Sequence, residues 1–151
     1  MSDQLYQDYK KQVEELNEKL NDYYDEYLED MTIDNVRLKD ALKSQVTLQL
    51  VFESFYAKTK RLQGLIEEEM ENAYSVAVSE QTSNNYRDVS ISEAKEAAKA
   101  NRIYRLYRRL NIEAKALVSD ANATLETVTT RRYVMNNMSN AIIASVENTI
   151  L

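Results

Sequence analysis

Apolar residues recur along this chain at alternating spacings of three and four, in three runs divided by polar stretches. The first run is Leu5, Tyr9, Val13, Leu16, Leu20, Tyr23 and Tyr27. The second is Leu38, Ala41, Gln45, Leu48, Phe52, Phe55, Thr59, Leu62, Ile66, Glu69, Ala73 and Val76. The third is Ala100, Ile103, Tyr107, Leu110, Ala114, Leu117, Ala121, Thr124, Val128, Arg131, Met135, Met138, Ile142 and Ser145. This spacing lays a narrow seam down one side of a helix and favours helix-on-helix or coiled-coil packing. It predicts helices over 3–29, about 34–79 and about 90–150. Between the first two, Thr32 or Asp34 can cap a new helix by accepting a bond from an unpaired backbone N–H. Glu80 to Asp88 is polar and rich in Asn and Ser, which places a loop over 80–89. Ser90 with Glu93 three positions on matches a capping box, with Ser92 as the alternative cap.

The chain has 151 residues, no Pro and one Gly, Gly64. Sheet proteins need turn residues at short intervals, so the fold class is all-α: long helices in a hairpin or coiled-coil-like bundle. The division is an acidic amphipathic helix over 1–30 and a long helical hairpin over 31–151. Thin helices bury little core alone, so partner helices are expected, from the same chain or from other copies in a homo-oligomer. Gln45, Thr59 and Glu69 are polar seam positions that can set register. Gly64 marks a bend or a close helix contact.

There is no Cys and no His. Thiolate chemistry, the commonest general base and the commonest transition-metal ligand are thus missing. No glycine-rich phosphate loop exists, and no nucleophile–base constellation is recognisable. Glu67 and Glu71 stand one turn apart, but carboxylate di-metal sites in bundles usually add Glu-x-x-His. The expectation is no enzyme, no metal and no cofactor. No apolar run approaches the ~20 residues of a membrane span, and Met1–Lys11 does not resemble a signal peptide. The chain is expected in the cytoplasm, away from membranes.

The net charge of −6 is unevenly placed. Residues 1–30 carry ten acids and three lysines, a net of −7. From Lys95 to Arg132 there are nine basic and four acidic residues, a net of +5. The acidic face of the first helix is either a solvated surface or a strip for a basic partner, this chain's own basic helix included. The most informative patch runs from Asn101 to Leu110. Arg102, Arg105 and Arg109 share one stripe, Lys95 and Lys99 extend it, and Arg108 and Lys115 lie on an adjacent face. Guanidinium forks match phosphate oxygens, and Tyr104 and Tyr107 could stack on unpaired bases, a combination suited to single-stranded nucleic acid. Alternatively, these arginines pair with Glu96, Glu113 or the acidic first helix, and Tyr107 is core. Lys58, Lys60 and Arg61 form a smaller basic cluster. Arg131 falls on the seam itself, beside Arg132; a charge there must escape to water, pair, or face a pore or ligand.

The layout resembles the UvsY-type recombination mediator proteins of tailed phages over roughly residues 33–143. The resemblance starts at Ile33-Asp34, continues through Phe55-Tyr56, Lys58 and Lys60, and ends with Leu125-Glu126 and the run Arg131-Arg132-Tyr133-Val134-Met135-Asn136-Asn137. The chain differs in its extra acidic N-terminal helix. It also lacks a Tyr-Tyr-Ser/Thr-Gly turn, of which Tyr74-Ser75 is a remnant, and an aromatic-rich C-terminal tail. The resemblance implies a small helical homo-oligomer, phage-encoded and acting in the host cytoplasm. It would bind single-stranded DNA and help a RecA-like recombinase displace the single-strand binding protein. By the same resemblance, the DNA contacts are Lys58, Lys60, Arg61, Arg102, Arg105, Arg108, Arg109, Arg131 and Arg132. The other class consistent with the residues is a helical structural or adaptor protein, such as a phage assembly component or a coiled-coil scaffold.

Overall fold

The computed structural model describes residues 3–31, 38–83 and 89–150, the side chains of 28–31 excepted. Among these residues there are four helices and no strand: α1 (Asp3–Met31), α2 (Leu38–Ser83), α3 (Ile91–Ala98) and α4 (Arg102–Ile150). The all-α expectation is met, with long helices packed on one another. None is long and apolar enough to cross a membrane among the described residues. The caps expected at Thr32 or Asp34 and the Ile33-Asp34 pair lie outside the described residues, as do positions 84–88 of the expected loop. The second helix outlasts its expected end, running to Ser83.

The third helix is not continuous from Ser90, as its unbroken seam predicted. Ser90 does begin a helix through the capping box: Glu93 N donates to Ser90 Oγ, and Ser90 N donates to Glu93 Oε2, both at 3.2 Å. But α3 ends after eight residues. Asn101 Oδ1 accepts from the backbone N–H of Ile103 at 2.9 Å and of Tyr104 at 3.1 Å, starting a new helix. An Asn side chain satisfies two of the N–H groups that a helix start leaves unpaired, which favours a boundary over continuation. Ala100 and Ile103, read as seam, are exposed at this junction.

The chain divides into two compact units, and α1, α2 and α4 each contribute to both. Unit 1 holds residues 1–17 and 58–118. Its core is Val13, Leu62, Ile66, Tyr107, Leu110 and Ala114, against which Tyr6, Tyr9, Leu16, Met70 and Ala73 pack. Beyond Ile66 the buried line of α2 departs from the heptad: Val76 is exposed and Ala77 is buried. An α-helix has 3.6 residues per turn, so a strict 3.5 repeat drifts off the contact face by about 20° per heptad unless the helices supercoil. Gly64 meets no atom within 4 Å of an added Cβ, so the expected close contact is not there. A polar chain crosses this unit: Gln63 Nε2 donates to Glu67 at 3.1 Å and to Asn111 Oδ1 at 3.0 Å, and Lys115 pairs with Glu67 at 3.3 Å.

Unit 2 holds residues 18–57 and 119–151. Leu20, Leu48, Phe52, Phe55, Ala121, Val128 and Met135 are buried. Tyr23 meets Phe52 and Phe55 edge-on, with centroids 5.8 and 5.6 Å apart, and Tyr24 hydrogen-bonds to Thr124. α2 and α4 run antiparallel here, as a helical hairpin requires. Gln45 Nε2 donates to the Val128 carbonyl at 3.0 Å, and Arg131 reaches the Ala41 carbonyl at 3.3 Å. Leu38, the first residue of α2, therefore falls level with about Met135.

Candidate nucleic-acid interface

The nine basic residues expected at the site divide between the units, seven in unit 1 and two in unit 2. In unit 1, Arg102, Arg105, Arg108 and Arg109 are all exposed on the first two turns of α4. The buried seam there is Tyr107, Leu110, Ala114 and Leu117. At about 100° per residue, the four arginines lie within an arc of roughly 120° facing away from that seam. Arg102 to Arg109 covers about 10 Å along the axis. Among the described residues none of the four pairs with a carboxylate. The ion pairs seen are Lys11–Glu15, Lys99–Glu96 and Lys115–Glu67. The alternative that Glu113 or the acidic helix α1 neutralises these arginines is therefore not what the structure shows. The acidic side chains of α1 from Asp3 to Glu26 are exposed.

The local sequence goes against helix electrostatics at this point. The N-terminal end of a helix carries partial positive charge and favours acids, yet the first turn of α4 has none and holds two arginines. A residue choice that costs local stability is expected where another demand on the surface outweighs it.

Other expected members do not join this face. Lys95 and Lys99 sit before the Asn101 junction, so they do not continue the stripe on one helix, and Lys99 is held by Glu96 at 2.7 Å. That carboxylate hydrogen bond raises the Lys99 pKa. Lys115 is taken by Glu67, whose pKa is lowered by the Gln63 hydrogen bond first and by Lys115 second. Lys58 and Arg61 are exposed and three apart on one flank of α2, while Lys60 points away from them by the same geometry.

Two expectations need correction, those for Arg131 and for the stacking tyrosines. Arg131 is buried, 4% exposed, and its guanidinium donates to Gln45 Oε1, the Ala41 carbonyl and Ser44 Oγ. It serves the α2–α4 contact of unit 2 and cannot reach a phosphate. Arg132 is half-buried over the Tyr133 ring, 5.3 Å from its centroid. The two tyrosines expected to stack on bases already meet other rings: Tyr107 is buried edge-on to Tyr6 at 5.6 Å, and half-buried Tyr104 lies against Tyr74 at 5.3 Å. What the sequence reading passed over is Ile112, 61% exposed on the arginine arc. Its spacing, three after Arg109 and seven after Arg105, was the signal.

The four guanidinium groups give this surface a cationic electrostatic character. Unit 1 also has an open cleft of about 310 Å³, lined by residues that include Tyr6, Glu69, Ala73, Val76 and Ile103. Among the described residues, no three acidic side chains come together as ligands for an ion. The Tyr9 pKa is raised, by burial first and then by Glu69 and Glu68. Compared with family models, curated proteins and solved structures, the chain matches none.

Proposed function

We propose that this chain is a non-enzymatic, homo-oligomeric protein that binds single-stranded DNA through the arginine face of α4. On the resemblance, its role is that of a recombination mediator: it loads a RecA-like recombinase against the single-strand binding protein in the cytoplasm of a phage-infected host. The observation that carries the reading is the set Arg102, Arg105, Arg108 and Arg109, exposed on one arc with no carboxylate partner among the described residues. Guanidinium groups so placed suit a phosphate backbone, and a local cationic face acts despite the acidic whole. With Tyr107 buried and Tyr104 held against Tyr74, base stacking contributes little, and Ile112 offers an apolar contact instead. Binding should be insensitive to sequence.

The test is fluorescence anisotropy of a labelled single-stranded oligonucleotide at low salt, with the Arg105→Ala/Arg109→Ala double variant beside the parent chain. The proposal expects binding by the parent and an affinity at least tenfold weaker for the variant. No binding by the parent at low salt removes the nucleic-acid reading. A structural or adaptor role then stands, which the exposed apolar side chains of unit 2 favour independently.

A further inference from the structure

Unit 2 has two apolar stripes that nothing in the chain covers among the described residues. On α2, Leu42, Val46 and Leu50 stand four apart and are 38–65% exposed. They lie well away from the buried line Ala41, Gln45, Leu48 and Phe52. On α4, Ile142, Val146 and Ile150 stand four apart and are 52–79% exposed. They continue the same helix face that is buried as far as Met135. Among the described residues its cover on α2 ends at Leu38, level with about Met135, and α4 runs on for fifteen residues.

The α4 end is also nearly without charged residue types: from Tyr133 to Ile150 the sequence has one, Glu147. Solvated helix ends usually carry charge on their outer faces, and a face this neutral opposes no approach by an identical one. The two stripes match in pitch. They match in length as well: Ile142–Ile150 and Leu42–Leu50 are nine residues each, about 12 Å along a helix.

We infer that unit 2 is a self-association module in which the α4 end of one copy lies along the Leu42–Val46–Leu50 stripe of a second copy, and reciprocally. Each copy gives and receives the same contact, so the pair closes on itself. An α4 end paired only with its own counterpart would leave the Leu42–Val46–Leu50 stripe uncovered. The exchange adds a second apolar surface and doubles the contact. The inference stands on unit 2 alone and does not depend on the DNA-binding reading.

The absence of Cys makes the test direct. Val46→Cys and Val146→Cys are made as separate full-length variants, mixed, and oxidised. A disulfide-linked dimer that forms in the mixture, and in neither variant alone, is the expected result. Linkage of the Val146→Cys variant to itself, or no linkage in the mixture, overturns the exchange. Light scattering on Val146→Glu supplies the second arm. The expected result is a lower mass than the parent with helix content retained; a parent already monomeric, or an unchanged mass, also overturns it.

Discussion

Arg105 and Arg131 stand on the same helix, and their surroundings differ completely. Arg105 faces water with no carboxylate beside it among the described residues, whereas Arg131 is sealed against α2 by Gln45, Ser44 and the Ala41 carbonyl. A buried guanidinium that loses an acceptor keeps its desolvation cost, so Gln45→Leu should destabilise the fold by roughly 1–3 kcal/mol. In denaturant unfolding, Gln45→Leu/Arg131→Met should recover part of that loss, because the charge goes with its acceptor. A double variant less stable than the sum of the two single changes would refute this account of the pair. Glu67 gives a second residue-scale prediction. Its folded pKa is lowered by Gln63 and then Lys115, so its contribution is complete above the ordinary glutamate range and disappears as pH falls through the depressed folded value. Carbon-detected NMR titration should place its midpoint below that of a solvated glutamate, and Lys115→Ala should move it upward. A midpoint unmoved by Lys115→Ala would mean the pair does not persist in solution.

Within each helix, what could be read from the sequence depended on whether one force acted alone. From Tyr107 to Met135 every heptad position is buried, because packing against the other helices was the only demand on that face. The reading failed where a polar side chain competed for the backbone, at Asn101, and where the helix drifted off a strict heptad, from Val76 to Ala77. It failed for the site in the same way. The exposed arginines of α4 follow from helical geometry and their distance from the seam. Tyr107 was legible as a seam position, whereas Tyr104 lies against Tyr74, far away in sequence, and no local pattern carries that information. Gly64 is the clearest element-scale prediction. It sits inside α2 with open space around it, so a methyl group meets nothing while the helix gains propensity. Gly64→Ala should raise unfolding stability by about 1 kcal/mol. A loss of stability would mean that something contacts this position after all.

At the scale of the whole chain, charge is divided between the units. Unit 1 has thirteen acidic and thirteen basic residues; unit 2 has twelve acidic and six basic, so the entire net charge of −6 belongs to it. A polyanion is therefore drawn to the arginine arc of unit 1 and repelled by unit 2, whose exposed surface is marked by apolar stripes. On the proposed function and the inferred self-association, binding and assembly fall on separate surfaces, and variants in one should leave the other unchanged. The most direct test of the binding claim is the slope of log affinity against log salt for a single-stranded oligonucleotide. If the four arginines of α4 each neutralise a phosphate, the slope is about −2.8, and Arg105→Ala/Arg109→Ala makes it shallower by about 1.4. A slope that the double variant leaves unchanged would contradict the assignment of the DNA site to this face.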